Sequence, residues 1–247
     1  MKVMSFNVLC HGSGENTWKT RKPLVVDIIK KYLPDTFGLQ ESHNNWMRYL
    51  IKSLPEYDYV GVGRDNGRKL GEFSPVFYLK DKYEVVETGN FWLSETPNKP
   101  SFGWDAACRR ICSYAVLKEK ATGKTFAHYN THLDHKGEKA QINGALMIAD
   151  RADTFKGMPT VVTGDFNVHP DSKPYASIVS AGFTDARDIA QEKNDVETFH
   201  WFGGSKQMID FVFVKNVKSV KSLYTITDTY DGKYPSDHYP VLAEVEL

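Results

Sequence analysis

Thr160 to His169 reads Thr-Val-Val-Thr-Gly-Asp-Phe-Asn-Val-His. A short apolar run ends at Gly164, and Asp165 and Asn167 follow two residues apart. Side chains alternate across a strand, so this spacing predicts Asp165 and Asn167 pointing the same way from one rim of a sheet. On such a rim a rigid element holds reactive groups within reach of water and substrate. The plainer reading of Gly-Asp-Phe-Asn is an Asx turn that closes the strand. The rest of the chain bears on which reading counts.

Working outward, Lys2 to Leu9 has strand composition and leads into a Gly-Ser-Gly loop. Thr20 to Leu33 repeats apolar residues at helical spacing, with Pro23 suited to a first turn. Thr36 to Leu39 is a short apolar strand that delivers Gln40 and Glu41, so the opening is a strand–helix–strand crossover unit. His43 to Leu54 is a second helix, with Trp46, Leu50 and Leu54 on one stripe. Short β-rich runs follow at Tyr57–Val62, Ser74–Leu79, Tyr83–Phe91 and Ile111–Leu117, interrupted by polar loops at Gly63–Phe73 and Ser94–Arg110. The second loop is long for a compact domain, and such loops usually serve function.

Lys124 to Thr131 is a further strand, and Gly137 to Phe155 an amphipathic helix. After the central strand come a helix near Tyr175–Ala181, a polar loop to Gly204, and strands at Met208–Val214, Val217–Ile226 and Tyr239–Val245. No linker or repeat divides the chain, which reads as one domain over residues 1–247. The mixture predicts an α/β (α+β) fold: two mixed sheets packed face to face and covered by helices.

Bulk composition narrows the classes. The 247 residues carry 31 Lys plus Arg and 31 Asp plus Glu, a formal charge of zero, with pI about 7.1. Hydrophobic content of 41% and aromatic content of 13% suit a sizeable core. Balanced charge weighs against tight, non-specific binding to nucleic acid but leaves a local basic pocket open. Cys10, Cys108 and Cys112 cannot form a full disulfide set, and none has zinc-type company in the sequence. A reduced or cysteine-indifferent compartment follows. No apolar stretch reaches the roughly 18 residues of a membrane span. Met1-Lys2-Val3 runs straight into a strand without a signal peptide, so a cytoplasmic location is the default. A chain trimmed to a mature start would read the same, which leaves a secreted or periplasmic location open.

Six polar sites lie beside β-runs: Asn7, Glu41, His132, the Asp165/Asn167 pair, Asp210, and the Asp237/His238 pair. Asp210 is flanked by Ile209 and Phe211, and a carboxylate inside an apolar strand is costly unless paired or coordinated. Gathered at one end of the sheets, these groups form a set of hard oxygen donors that suits Mg²⁺ or Mn²⁺ rather than zinc. Such a site suits phosphate ester hydrolysis, where positioning and charge neutralisation do most of the catalysis.

Ser-Phe-Asn-Val-Leu, Leu-Gln-Glu, Asn-Thr-His-Leu, Gly-Asp-Phe-Asn, Ile-Asp-Phe-Val and Ser-Asp-His-Tyr-Pro-Val follow in order from Ser5 to Val241. Together they resemble the motifs of the endonuclease/exonuclease/phosphatase (DNase-I-like) superfamily. That resemblance implies a four-layer α/β sandwich with the site at one end of two sheets. It implies Glu41 as the principal metal ligand, with Asn7 and Asp237 near or sharing the ion. It casts Asp165 as the group orienting or deprotonating water, Asn167 as a phosphate contact, and His238, paired with Asp210, as support for the transition state. His132 matches a second phosphate-facing histidine, which leans on a glutamate matched by Glu72. Some nuclease members carry another acid two residues after the first asparagine; Leu9 stands there, which favours one metal over two.

The substrate is less defined. Pro100 to Arg110 resembles a loop of the deadenylase-like and uncharacterised bacterial branch. From it Arg110 is expected to reach the anion, because guanidinium meets phosphate with two parallel hydrogen bonds. The alternative leaves Arg109 and Arg110 solvating the loop. Trp201 stacks on a sugar or base, or fills the core beneath its loop. A small or medium phosphomonoester or phosphodiester is favoured. The alternatives are a nuclease acting on DNA or RNA, for which no extended basic track is visible, and a catalytically silent binding module. The oligomeric state stays open.

Overall fold

The computed structural model describes residues 1–247. In chain order the first half comprises β1 (Lys2–Asn7), α1 (Trp18–Tyr32), β2 (Thr36–Gln40), α2 (Asn44–Ser53), β3 (Tyr57–Val60), β4 (Val76–Leu79), β5 (Tyr83–Trp92) and β6 (Ile111–Glu119). The second half comprises β7 (Thr125–His132), α3 (Glu138–Ala152), β8 (Thr160–Asp165), α4 (Lys173–Ser180), β9 (Thr184–Asp185), α5 (Ala186–Ile189), β10 (Ala190–Lys193), β11 (Asp210–Lys215), β12 (Ser219–Thr225) and β13 (Val241–Glu246).

One sheet has the order β10-β12-β13-β1-β2-β4-β3, the other β5-β6-β7-β8-β11-β9. Each mixes parallel and antiparallel pairs: β1 runs parallel to β2 and antiparallel to β13, and β7 runs parallel to β8. Three apolar clusters separate four layers. One packs α1 and α2 on the first sheet, one fills the space between the sheets, and one packs α3 and α4 on the second. The α/β sandwich expected from the sequence is therefore present. No helix is long and apolar enough to cross a membrane.

Two local expectations shift. Helix α1 begins at Trp18 and places Pro23 beyond its first turn. The N–H that proline lacks would have bonded the carbonyl of exposed Lys19, which water can satisfy. The segment read as a polar loop before Gly204 contains β9, α5 and β10, elements of two to four residues. Elements so short carry no periodicity for a sequence to display.

The sheets meet across a polar seam that leads to the site. On β7, His128 bonds Thr36 Oγ1 through Nδ1 at 2.7 Å and Thr163 Oγ1 through Nε2 at 2.8 Å. Asn130, two residues on, donates through Nδ2 to the Leu39 and Pro75 carbonyls (2.7 and 2.9 Å), and its Oδ1 accepts from Gln40 Nε2 at 2.7 Å. The seam requires Gly38: a Cβ there would lie 2.2 Å from Asn130 Oδ1 and Thr163 Oγ1. Period-two alternation carries the same faces onward. Asn130 is followed by His132, Thr163 by Asp165 and Ser5 by Asn7, so polar residues inside the sandwich continue directly into the candidate site.

Asn130→Ala would strand the buried Leu39 carbonyl and remove one partner each from the Pro75 carbonyl and the Gln40 amide, which keep the Leu39 N–H and Ser5 Oγ. The expected loss is about 3 kcal/mol of unfolding free energy, read by denaturant titration; a change below about 1 kcal/mol would show that the seam contributes little.

Candidate active site

The strand ends deliver the polar groups in register. His132 pairs with Asp165 across β7 and β8, and Asp210 pairs with Asp165 across β11 and β8. Asn7 pairs with Gln40 across β1 and β2, so Glu41 is the first residue past that rung. A single side chain joins the two sheets here. Asn7 Nδ2 donates to Glu41 Oε1 at 3.1 Å and to Asp165 Oδ2 at 2.9 Å, while Asn7 Oδ1 accepts from the Leu9 N–H. Glu41 lies in the left-handed region, φ 60°, which turns it from the strand line into the cleft. Its Oε2 accepts from the Cys10 N–H at 2.9 Å. Burial pushes Glu41 up, but the Cys10 N–H, the His238 charge and the Asn7 amide outweigh it and hold its carboxyl below the usual range.

Asp165 is the last residue of β8, and Asn167 lies beyond it at φ 52°. The Asn167 N–H donates to Asp165 Oδ1 at 2.9 Å, so an Asx turn does close the strand. Turn and site coincide: the left-handed residue, rather than strand alternation, swings the Asn167 amide back beside His132. Asn167 Nδ2 donates to His132 Nε2 at 3.0 Å and to the Leu133 carbonyl at 3.1 Å. With Nε2 accepting, the His132 proton sits on Nδ1, which faces Glu72 Oε2 at 3.6 Å. Burial, with Arg110, Arg64 and His238 nearby, holds His132 well below the ordinary histidine range, so it is neutral.

His238 is the opposite case. Its Nδ1 donates to Asp210 Oδ2 at 2.8 Å, and its Nε2 faces Asp165 Oδ2 at 3.8 Å. Burial opposes the charge, but Asp210, Asp165 and Asp237 raise His238 to about 10. Asp165, buried and beside Asp210, is pushed up to about 7, with His238, Asn7 and the Asn167 N–H pulling back. Asp237, also buried, rises because of that burial and of Glu41. Two histidines in one cleft thus hold opposite charge states.

Glu41, His132, Asp165, Asn167, Asp237 and His238 line a cleft of about 350 Å³ together with Glu72, Arg64, Arg110 and Trp201, while Asn7 and Asp210 are buried behind it. Arg110 is 4% exposed and does not solvate its loop. Its Nε contacts Asp134 Oδ2 at 3.4 Å, its Nη2 lies 3.1 Å from His135 Nδ1, and its Nη1 has no partner in the protein. Asp134 accepts the N–H groups of Ala107, Cys108, Lys136 and Gly137; against the effect of its burial, the Gly137, Ala107 and Lys136 N–H groups and the Arg110 charge hold it at about 2. Arg109 is half-exposed and faces Asp65 at 3.8 Å. Trp201 is 57% exposed at the rim and fills no core.

Arg64 carries no signal in the sequence. It clamps Glu72 with two hydrogen bonds of 2.6 and 2.9 Å. It lies in a polar loop with no periodicity, and only the fold brings it to the cleft. Asp134 and His135 directly follow the Asn-Thr-His-Leu motif, a signal that proximity offered. Cys10 does have nitrogen company: its sulfur, His11 and His43 come within 4.8 Å of one another, contrary to the expectation from the sequence.

The donor set fits a hard divalent cation. Carboxylates outnumber the cationic groups in the cleft, and each Glu41 oxygen accepts one hydrogen bond, leaving lone pairs free. The donor atoms of Glu41, His132 and Asp165 lie within 4.8 Å of one another.

Two mixed sheets with acidic and histidine side chains at one end of the strands define a DNase-I-like α/β sandwich. The chain belongs to the Endonuclease/Exonuclease/phosphatase family, which matches residues 4–238. A family structure from Bacteroides vulgatus is 40% identical, covers 100% of this chain and 98% of that one, and superposes with a TM-score of 0.96. A Bacteroides thetaiotaomicron protein described as a mannosyl-6-phosphatase is 36% identical over 100% of both chains, with a TM-score of 0.95. Human Nocturnin is 21% identical over 280 residues, which take in 97% of this chain but 62% of Nocturnin's own length. Its catalytic domain shares the fold, with a TM-score of 0.77.

His238 should keep both ring protons at neutral pH, since Asp210 holds its charge. Its contribution to stability is full below about 6.5, the ordinary histidine value, and is lost as pH rises through about 10. Ring-nitrogen NMR across pH should place the transition well above neutrality and show it falling in Asp210→Asn. Titration of wild-type His238 near 6.5 would contradict the pairing.

Proposed function

We propose that the chain is a divalent-metal-dependent phosphoesterase that hydrolyses a small phosphomonoester, with a sugar phosphate favoured. The observation that carries this is the juxtaposition, in one small cleft, of the Glu41, Asp165 and Asp237 carboxylates and the unpartnered Nη1 of buried Arg110. Ligand pockets span roughly 300 to 1,000 Å³, so a cleft of about 350 Å³ suits a compact substrate. The full-length similarity to a protein described as a mannosyl-6-phosphatase points the same way.

Glu41, with Asp237 and Asn7 beside it, would hold Mg²⁺ or Mn²⁺. An ion there supplies neutralisation of charge on a phosphoryl oxygen. Asp165 takes the proton of a water attacking phosphorus in line, and its value near neutrality suits a general base at physiological pH. Asn7 and the Asn167 N–H fix the two Asp165 oxygens, so the base does not need to reorganise. Charged His238, held by Asp210, faces the same space and stabilises negative charge spreading over the phosphoryl oxygens. Neutral His132 and Asn167 orient the phosphate, with Glu72 and Arg64 backing the ring. Arg110 adds hydrogen bonds to the anion, and the exposed Trp201 indole offers a face to the sugar.

The alternative within this family is a nuclease. Balanced charge and a small cleft weigh against a polymer track. A silent binding module would not need a base, a charged histidine and a metal-ligand set together.

Phosphate release should be measured from sugar monophosphates, mononucleotides, phosphodiesters and oligonucleotides, with Mg²⁺ and with chelator. A sugar monophosphate should be preferred, with chelator abolishing turnover. Asp165→Asn should lower kcat by a factor of about a hundred or more. Higher kcat/KM on oligonucleotides, or activity that survives chelation, would overturn the reading.

Salt provides an independent check. A compact substrate displaces few counterions, so kcat/KM should fall only modestly over a few-fold rise in salt, whereas a polymer track loses on the order of a thousandfold. Arg110→Ala should cost about 1 to 3 kcal/mol of transition-state binding. A steep salt dependence would contradict the compact substrate, and a neutral Arg110→Ala would contradict the proposed anion contact.

A further inference from the structure

Beside the cleft, one sulfur and two imidazoles come together in a group that the phosphoryl chemistry above does not use. The donor atoms of Cys10, His11 and His43 lie within 4.8 Å of one another. Cys10 and His11 belong to the turn after β1, and His43 immediately precedes α2 without capping it through its side chain. The rings of His11 and His43 lie 5.1 Å apart, tilted by 41°, so they converge without stacking.

The turn is fixed from below. Arg21, 1% exposed, aims its guanidinium at backbone oxygens: Nη2 at Leu9 and His11 (2.7 and 2.9 Å), Nη1 at Val8 and Pro235, Nε at Asn16 (2.8 Å). Leu9 at φ 54° and Gly12 at φ 87° bend the chain on either side of Cys10 and His11. A Cβ at Gly12 would lie 2.0 Å from the Asn16 oxygen. The backbone beneath these donors is therefore ordered in advance, and a ligand would need to immobilise little beyond the two rings.

We propose that Cys10, His11 and His43 form a second metal site, which takes Zn²⁺ or a similar borderline transition ion in preference to Mg²⁺. Thiolate and imidazole suit such ions, whereas Mg²⁺ demands oxygen ligands. Around a tetrahedral zinc, neighbouring donors stand about 3.5 Å apart. The three atoms therefore need to draw in by at most about an ångström, a movement open to the exposed His11 side chain. On binding, the Cys10 thiol releases its proton to solvent as the sulfur–metal bond forms, the neutral rings each donate a lone pair, and water completes the fourth position.

The other thiol cluster, Cys108 with Asp134 and His135, lacks this freedom. Asp134 already accepts four backbone N–H groups and contacts Arg110 Nε. The Cys10 site also abuts the proposed Mg²⁺ carboxylate, because the Cys10 N–H donates to Glu41 Oε2.

Cobalt(II) is the probe, since thiolate ligation gives a sulfur-to-metal charge-transfer absorption that oxygen ligation lacks. The full-length chain, held in excess Mg²⁺, should bind one Co²⁺ with that band and release it to Zn²⁺. Glu41→Gln should retain the band, Cys10→Ser should abolish it, and His43→Ala should weaken Zn²⁺ binding at least about tenfold. A cobalt complex without the thiolate band, or zinc affinity unchanged in His43→Ala, would overturn the site. No turnover is read, so this outcome is separate from that of the phosphoesterase proposal.

Discussion

The candidate site depends on one amide. Asn7 Nδ2 bridges Glu41 Oε1 and Asp165 Oδ2, which belong to different sheets. Buried Asp165 and half-buried Glu41 repel each other, and their partial removal from water strengthens that repulsion. A neutral double donor between them relieves it while keeping both oxygens aimed into the cleft. Positioning of the metal-ligand carboxylate relative to the water-activating one is thereby set by how the sheets pack, and the sheets pack through the Asn130 and His128 seam. The site is an extension of the same polar interior that aligns the two layers.

A second constraint acts through charge. His132 and His238 are both buried, yet one is neutral and the other charged. Asp210 accounts for the difference: it bonds His238 directly, whereas the Glu72 carboxylate behind His132 is engaged by Arg64. The cleft therefore presents a cation and a neutral ring on two sides of Asp165. That asymmetry suits an anion whose charge redistributes as it reacts, because stabilisation is already oriented before the reaction begins.

Much of this was legible in the sequence, for a physical reason. Strand-end residues are announced by an apolar run that stops, so Glu41 and Asp165 could be placed from pattern alone; Asp210 stood out as a carboxylate among apolar neighbours, though it begins β11 and does not lie within it, and the order of the motifs carried the sandwich. The mechanism read from Asp165 and Asn167 was incomplete: alternation would have put both on one face, but Asn167 reaches its place through a left-handed turn. Gln40 and Asn130 sat inside quoted motifs without a role, since a seam between sheets has no signature along the chain. Arg64 and the Cys10, His11 and His43 group depend on residues far apart in sequence, and only the folded chain brings them together.

The central claim is that one pair of carboxylates, joined by Asn7, organises a hard-metal phosphate site. Crystals grown with Mn²⁺ and inorganic phosphate, examined by anomalous diffraction at the manganese edge, test it most directly. The account predicts a manganese peak about 2 Å from a Glu41 oxygen, with phosphate bridging that ion and Arg110 and in contact with His132 or His238. A manganese peak away from Glu41, or phosphate bound outside the cleft, would contradict it.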